Sequence, residues 1–264
     1  MKYFGALSKM RTAMADPIQY YLMLDNDFIQ LNDFVGREIS IQYSGTITCF
    51  CGNEVTETYR KNFCRDCFFT KPEASLTIMK PELSKAHLGI EERDLEWEKK
   101  MQLQPHVVYL ANSAGLKVGV TRDSQVPTRW IDQGAEQAIV LARTSNRYEA
   151  GTVEVHLKDT ISDKTPWQKM VQGYVPEVDL VAAKHEVLKY LPEELSQWAE
   201  KDDEIYKMKY PVEEYPTKVK SINLNKIPEV KGVLKGIRGQ YLLFEGGGVL
   251  NIRSHEGYRV TLEV

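Results

Sequence analysis

Apolar and polar positions alternate with two different periods along this chain, and the changes of period divide it. Residues 1–50 carry short runs rich in branched and aromatic side chains, which predict strands over Tyr3–Met10, Ile18–Leu24, Phe28–Leu31 and Glu38–Phe50. Asp16-Pro17, Asp25-Asn26-Asp27 and Gly36 supply the turns between them. From 72 to 104 the pattern becomes polar and charged, with Leu83, Ile90, Leu95 and Trp97 scattered through it. That segment reads as a helical connector interrupted at Gly89.

At His106 the pattern switches to mixed helix and strand. Two apolar runs, Val107–Ala111 and Lys117–Thr121, flank Asn112-Ser113-Ala114-Gly115 and predict a β-hairpin with a glycine-containing loop. A helix over about Pro127–Glu136, a strand over Ala138–Arg143 and a helix over about Arg147–Ile161 follow. Asp163–Val181 reads as loop, and Ala182–Ala199 as helical with a break at Pro192. Toward the C-terminus, strands are predicted over Val233–Ile237, Tyr241–Glu245, Val249–Arg253 and Arg259–Val264, with Gly246-Gly247-Gly248 as a hairpin turn. The segments FGALSKMRTA and KGVLKGIRGQ share a G-x-L-x-x-[MI]-R pattern, so strands from both ends are expected to build one β platform with the rest inserted between.

The fold class is therefore α+β: a small antiparallel β platform from both termini, a cysteine-rich ribbon and an α/β module. The expected division is 1–48, 49–70, 71–104, 105–200 and 201–264. No apolar run approaches the roughly 18 residues a membrane helix needs, and the first residues lack a signal-type apolar core. The expectation is a cytoplasmic protein without a membrane partner. The sequence is silent on oligomeric state.

All four cysteines of the 264-residue chain fall between Cys49 and Cys67. Cys49 and Cys51 form one pair, and Cys64 and Cys67 a second, with twelve residues between the pairs. Two pairs joined by a short excursion supply four thiolates for a tetrahedral zinc ion. Four thiolates leave no open position, so this zinc is expected to hold the fold rather than to do chemistry. The first pair is C-x-C instead of the commoner C-x-x-C, which makes one knuckle irregular.

A net charge of −3 argues against indiscriminate binding to polyanions. Even Lys99–Lys189 holds 12 Lys and Arg against 10 Asp and Glu, so any nucleic-acid site must be a local patch. The hairpin region supplies candidates for one. Val107-Val108-Tyr109, Lys117-Val118-Gly119, Arg129-Trp130 at the start of a helix, and Glu154 midway along the next helix resemble, in order, the four markers of the GIY-YIG nuclease family. Tyr109, Gly119, Arg129 and Glu154 match; the first glycine is missing, and Lys117 replaces the second tyrosine.

That resemblance implies a cleft for phosphodiester chemistry. Glu154 would hold Mg²⁺ or Mn²⁺, Arg129 would meet a phosphate, Tyr109 would orient or deprotonate water unless it is simply a strand aromatic packed on the core, and Lys117 would bind phosphate where the family has a base. Gly119 and Arg122 would add backbone approach and a further phosphate contact. On its own helix Glu154 lies inside the edge of the apolar stripe Ala150, Val153, Leu157 and Ile161. Such a carboxylate calls for an ion or for a salt bridge to Arg129 or Lys117, unless Glu154 is simply a boundary residue of the stripe, and all three readings stay open.

The strings LKVGVTR, PTRWIDQGA and GQYLLFE, with the cysteine cluster, also resemble an uncharacterised bacterial family that joins a zinc ribbon to a GIY-YIG-like segment. Relatives of that kind carry further cysteines where this chain has Glu73–Glu96, which implies that a second metal site is missing here. Three functions remain: a nucleic-acid-binding, Mg-dependent endonuclease; a non-catalytic RNA- or ribosome-binding protein on the same scaffold; or a structural or interaction module. DNA and RNA are not distinguished.

Overall fold

Most of the predicted strands form, and they do so for the expected reason: alternate residues are buried on one face. A computed structural model describes residues 1–158, 160–161 and 166–264. In chain order the first elements are β1 (Lys2–Ala13), β2 (Gln19–Leu24), β3 (Asp27–Gln30), β4 (Glu38–Thr48), β5 (Glu54–Val55) and α1 (Arg65–Thr70). Single helical turns then lead to α2 (Leu95–Gln102), the hairpin β6 (His106–Asn112) and β7 (Leu116–Arg122), α3 (Thr128–Asp132), β8 (Gln137–Thr144) and α4 (Arg147–Lys158). Next come α5 (Trp167–Val171), α6 (Leu180–Leu188), α7 (Glu193–Ser196) and β9 (Ile205–Lys207). The chain ends with β10 (Lys220–Ile222), β11 (Glu229–Arg238), β12 (Tyr241–Phe244), β13 (Gly248–Asn251) and β14 (Tyr258–Glu263).

Both termini do share one sheet, of ten strands, in the order β10-β13-β12-β11-β4-β14-β1-β2-β3 with β5 beside β4. It is larger than the small platform expected, and one pair, β10 with β13, is parallel. The shared G-x-L-x-x-[MI]-R pattern marks a repeated unit. A long strand, two short strands, a helical turn and a closing strand run β1-β2-β3-β4 and again β11-β12-β13-β14, the second unit with a further turn at Glu245–Gly247. Each unit's long first strand pairs with the other unit's last strand: β1 with β14 from Lys2↔Glu263, and β11 with β4 from Val233↔Glu38. Both long strands also carry a register shift against their hairpin partner, between Ser8 and Arg11 and between Leu234 and Gly236.

A second sheet, β7-β6-β8-β9, is antiparallel throughout, with β7 at its edge. One face, through Val107, Tyr109 and Ala111, joins the platform core with Trp130. The other, through Val108, Leu110 and Val118, packs on Ala150, Val153 and Leu157 of α4. Buried Arg238 locks sheet to platform. Its guanidinium donates to the carbonyls of Gly134 (3.0 Å) and Ser113 (3.2 Å) and pairs with Glu136 at 3.1 Å.

Several boundaries differ from the sequence expectation. The helix predicted to Glu136 stops at Asp132, because Gly134 takes φ +69° and turns the chain toward β8. The predicted strand Val249–Arg253 gives way to a helical turn at Ile252, where the Asn251 side chain accepts the Ser254 N–H at 3.1 Å. Trp167–Val171, expected as loop, is a short helix, and the start of that predicted loop at Asp163 lies outside the described residues. Among the described residues no helix is long and apolar enough to cross a membrane.

Candidate functional site

The four cysteines come together where β4 ends and α1 begins. Cys49 follows the last residue of β4, and Gly52 at φ +88° turns the chain back so that β5 pairs with Ile47 and Thr48. Cys64 is the N-cap of α1 and Cys67 lies in its first turn. Between the two pairs the chain forms only the short strand β5 and a bridge between Arg60 and Phe63. All four thiols are free of disulfides, and their sulfur atoms lie within 4.8 Å of one another.

That set fits a tetrahedral metal ion such as zinc. Zn–S bonds of about 2.3 Å space the sulfurs about 3.8 Å apart. The Cys64 N–H also donates to Cys49 Sγ at 3.1 Å, as a thiolate acceptor invites. Cys67 is buried, and that burial together with contacts to the other cysteines pushes its thiol up to about 12. A cation is what lets such a crowd of sulfurs ionise together. Phe63, Val55 and Phe68 seal the cluster's inner side.

The hairpin site has a different character from the expected one. Tyr109 and Gly119 are register partners across β6 and β7. Tyr109 is fully buried, edge-on to Trp130 at 5.7 Å, and its hydroxyl donates to Gln133 Oε1 at 3.2 Å. Burial raises its pKa, with Arg129 pulling the other way. It is a core side chain beneath the surface. Gly119 is needed because a Cβ there would stand 2.6 Å from the Tyr109 hydroxyl, so the close approach is by tyrosine and not by phosphate.

Lys117 borders a cavity of about 190 Å³ with Ser113, Gln133 and Trp167. Glu154 is buried on α4, on the opposite face of the sheet from Tyr109. Its carboxylate meets Lys158 at 3.3 Å, a partner other than the Arg129 or Lys117 expected, and burial raises its pKa. Tyr109, Lys117, Arg129 and Glu154 therefore do not line a single cleft.

What the fold does bring together is positive charge. A cleft of about 470 Å³ runs along the open edge of β7 and collects six cations: Lys9, Lys61, Arg122, Arg129, Arg147 and Arg253. Lys9 comes from β1, Lys61 from the cysteine ribbon, Arg122 from the end of β7, Arg129 from α3, Arg147 from α4, and Arg253 from the turn after β13. Helices on opposite faces of the sheet reach the same cleft because an edge strand lies between them. Among the described residues that line it Asp132 is the one carboxylate, and Lys9 neutralises it at 2.5 Å.

Burial and hydrogen bonds hold one of these cations in place. Arg147 is tied to the Thr77 and Ile78 carbonyls at 3.1 and 2.9 Å, and burial plus Arg122 and Arg129 depress its pKa. Burial and nearby Arg253 lower that of Lys61. Trp97, Met101 and Met79 form an apolar wall opposite. Arg122 and Arg129 were legible in the sequence. Lys9, Lys61, Arg147 and Arg253 were not, because no local spacing marks them.

No curated protein and no solved structure matches the chain. A family pattern does match, from Gly36 in the turn before β4 to Val260 in β14, and it takes in the cysteine ribbon, the four-stranded sheet and every cation of the cleft but Lys9. The chain belongs to the DUF2797 family, whose description is a protein of unknown function.

Proposed function

We propose that this protein binds nucleic acid by its phosphate backbone, in the cleft along β7, with structural zinc in the four-cysteine ribbon. One observation carries the reading: a chain of net charge −3 gathers six cations from six separate segments around one cleft. Concentrating like charge costs stability, and an anionic ligand offsets that cost. Arginines predominate, and their planar forks suit phosphate oxygens. Zinc has a part in this, since the ribbon it would hold is what carries Lys61 into the cleft.

The non-catalytic form of this reading is the better supported. Glu154 is paired with Lys158 and does not line the cleft, while Tyr109 is buried on the other face of the sheet. Neither side chain is among those that line the cationic cleft, which leaves phosphate binding as the role its lining supports best.

The test is fluorescence anisotropy with a labelled RNA oligonucleotide over a series of salt concentrations. With up to five uncompensated cations and about −0.7 per phosphate, log K should fall against log salt with a slope between about −2 and −3.5. Arg129→Glu with Arg253→Glu should weaken binding at least 10-fold and flatten that slope. Salt-independent binding, or unchanged affinity in a folded double variant, overturns the assignment. Mg²⁺ or Mn²⁺ in the same assay reads cleavage, and turnover abolished by Glu154→Ala would replace binding by hydrolysis as the conclusion.

A further inference from the structure

The cationic cleft does not end at the apolar wall. Lys61, Ile78 and Met79 border it and also border a second hollow of about 520 Å³ between the ribbon and the connector. Phe63 and Phe68 line that hollow, and Arg60 lies over Phe68 at 6.0 Å. From Phe68 the aromatic surface continues outward: Tyr59 at 5.0 Å and Phe69 at 5.3 Å, edge to face. Tyr59 is 56% exposed, Phe69 54% and Met79 72%. Trp97 stands on the cleft's own wall. The ribbon that carries Arg60 and Lys61 to these hollows therefore also carries the exposed rings of Tyr59 and Phe69.

We infer that the cleft and this aromatic hollow together take a single-stranded or unstacked nucleic acid, with bases stacking on Tyr59, Phe69 and Trp97 while the cations hold its phosphates; this rests on the nucleic-acid reading of the cleft. Duplex bases have their faces covered by one another and cannot use exposed rings. An unpaired strand can, at little cost in sequence preference. Duplex binding without base contacts instead needs a broad cationic surface, and this chain confines its positive charge to a cleft. The arrangement of a charged track flanked by rings is the one that single strands require.

Three probes of one sequence and about 12 nucleotides test this: single-stranded RNA, single-stranded DNA and the DNA duplex. Either single strand should bind at least 10-fold more tightly than the duplex. Tyr59→Ala with Phe69→Ala should cost the single strands roughly 5- to 100-fold and leave the duplex within about 2-fold. Tyr59→Phe keeps the ring and should bind as wild type. If the alanine pair sheds its metal, Trp97→Ala, outside the ribbon, carries the same expectation. Equal or tighter duplex binding, or unchanged single-strand affinity in metal-loaded aromatic variants, overturns the single-strand inference and leaves the cleft assignment standing. No binding of any probe overturns both.

Discussion

A Cβ placed on Gly119 would stand 2.6 Å from the Tyr109 hydroxyl and 2.7 Å from its Cζ. The hairpin thus needs glycine opposite a fully buried tyrosine whose ring crosses the partner strand. Gly119→Ala should destabilise the fold by about 1–3 kcal/mol through overpacking, read as a lower urea midpoint at unchanged slope. Tyr109→Phe in that background removes the nearer contact only, so recovery should be partial. A neutral Gly119→Ala would mean the ring has room to move.

The cysteine ribbon should carry close to one zinc per chain by elemental analysis. Cys64→Ser removes a metal ligand at the N-cap position of α1 without removing a side-chain cap, and should release the metal and melt the ribbon, because binding energy is folding energy in such sites. The ten-stranded sheet has its own core and should keep its far-UV signal. A folded, metal-free wild type, or metal retained at full stoichiometry by Cys64→Ser, would remove the four-thiolate site.

Arg238 holds α3 and its arginine against the platform through the turn at Gly134. It is wholly buried, bonded to the Gly134 and Ser113 carbonyls, and lies over the Tyr210 ring at 5.2 Å. Arg238→Met leaves those carbonyls without donors and should cost roughly 3–5 kcal/mol. Thermal unfolding should then begin on the order of 10 °C lower. Arg238→Lys keeps the charge but loses the fork, and should fall between. A melting temperature within error of wild type for both variants would show that the contact is not structural.

Alternation and turn residues made the strands legible, and the repeated G-x-L-x-x-[MI]-R pattern pointed correctly to long strands from both ends of the chain. The cysteine cluster was legible because metal ligands must recur at short spacing. The cleft was not, since Lys9, Lys61 and Arg253 are single cations far apart in sequence that only the tertiary fold assembles. Gly119 shows a subtler limit. Its need for close approach could be read from its place in a strand, but not that the approaching atom belongs to Tyr109. Glu154 is similar: a carboxylate inside an apolar stripe signals a partner, and the chain supplied Lys158 one turn on.

His106 opens β6 and is buried. Its Nδ1 faces the Gln104 carbonyl at 2.7 Å, while Nε2 has no partner among the described residues. Burial, with Arg147 and Arg122 nearby, lowers its pKa from 6.5 to about 4, although the Gln104 carbonyl pulls it upward. The unfolded chain therefore binds this proton first as pH falls. Stability that is complete above about 6.5 should be lost progressively down to about 4, by up to about 3 kcal/mol. Urea unfolding at pH 7.5 and at about pH 4.5 measures the loss, and His106→Leu should remove most of it. The replacement also relieves the unpartnered nitrogen, so its own cost at neutral pH should be small. A pH dependence identical in wild type and His106→Leu would show that the acid sensitivity arises elsewhere.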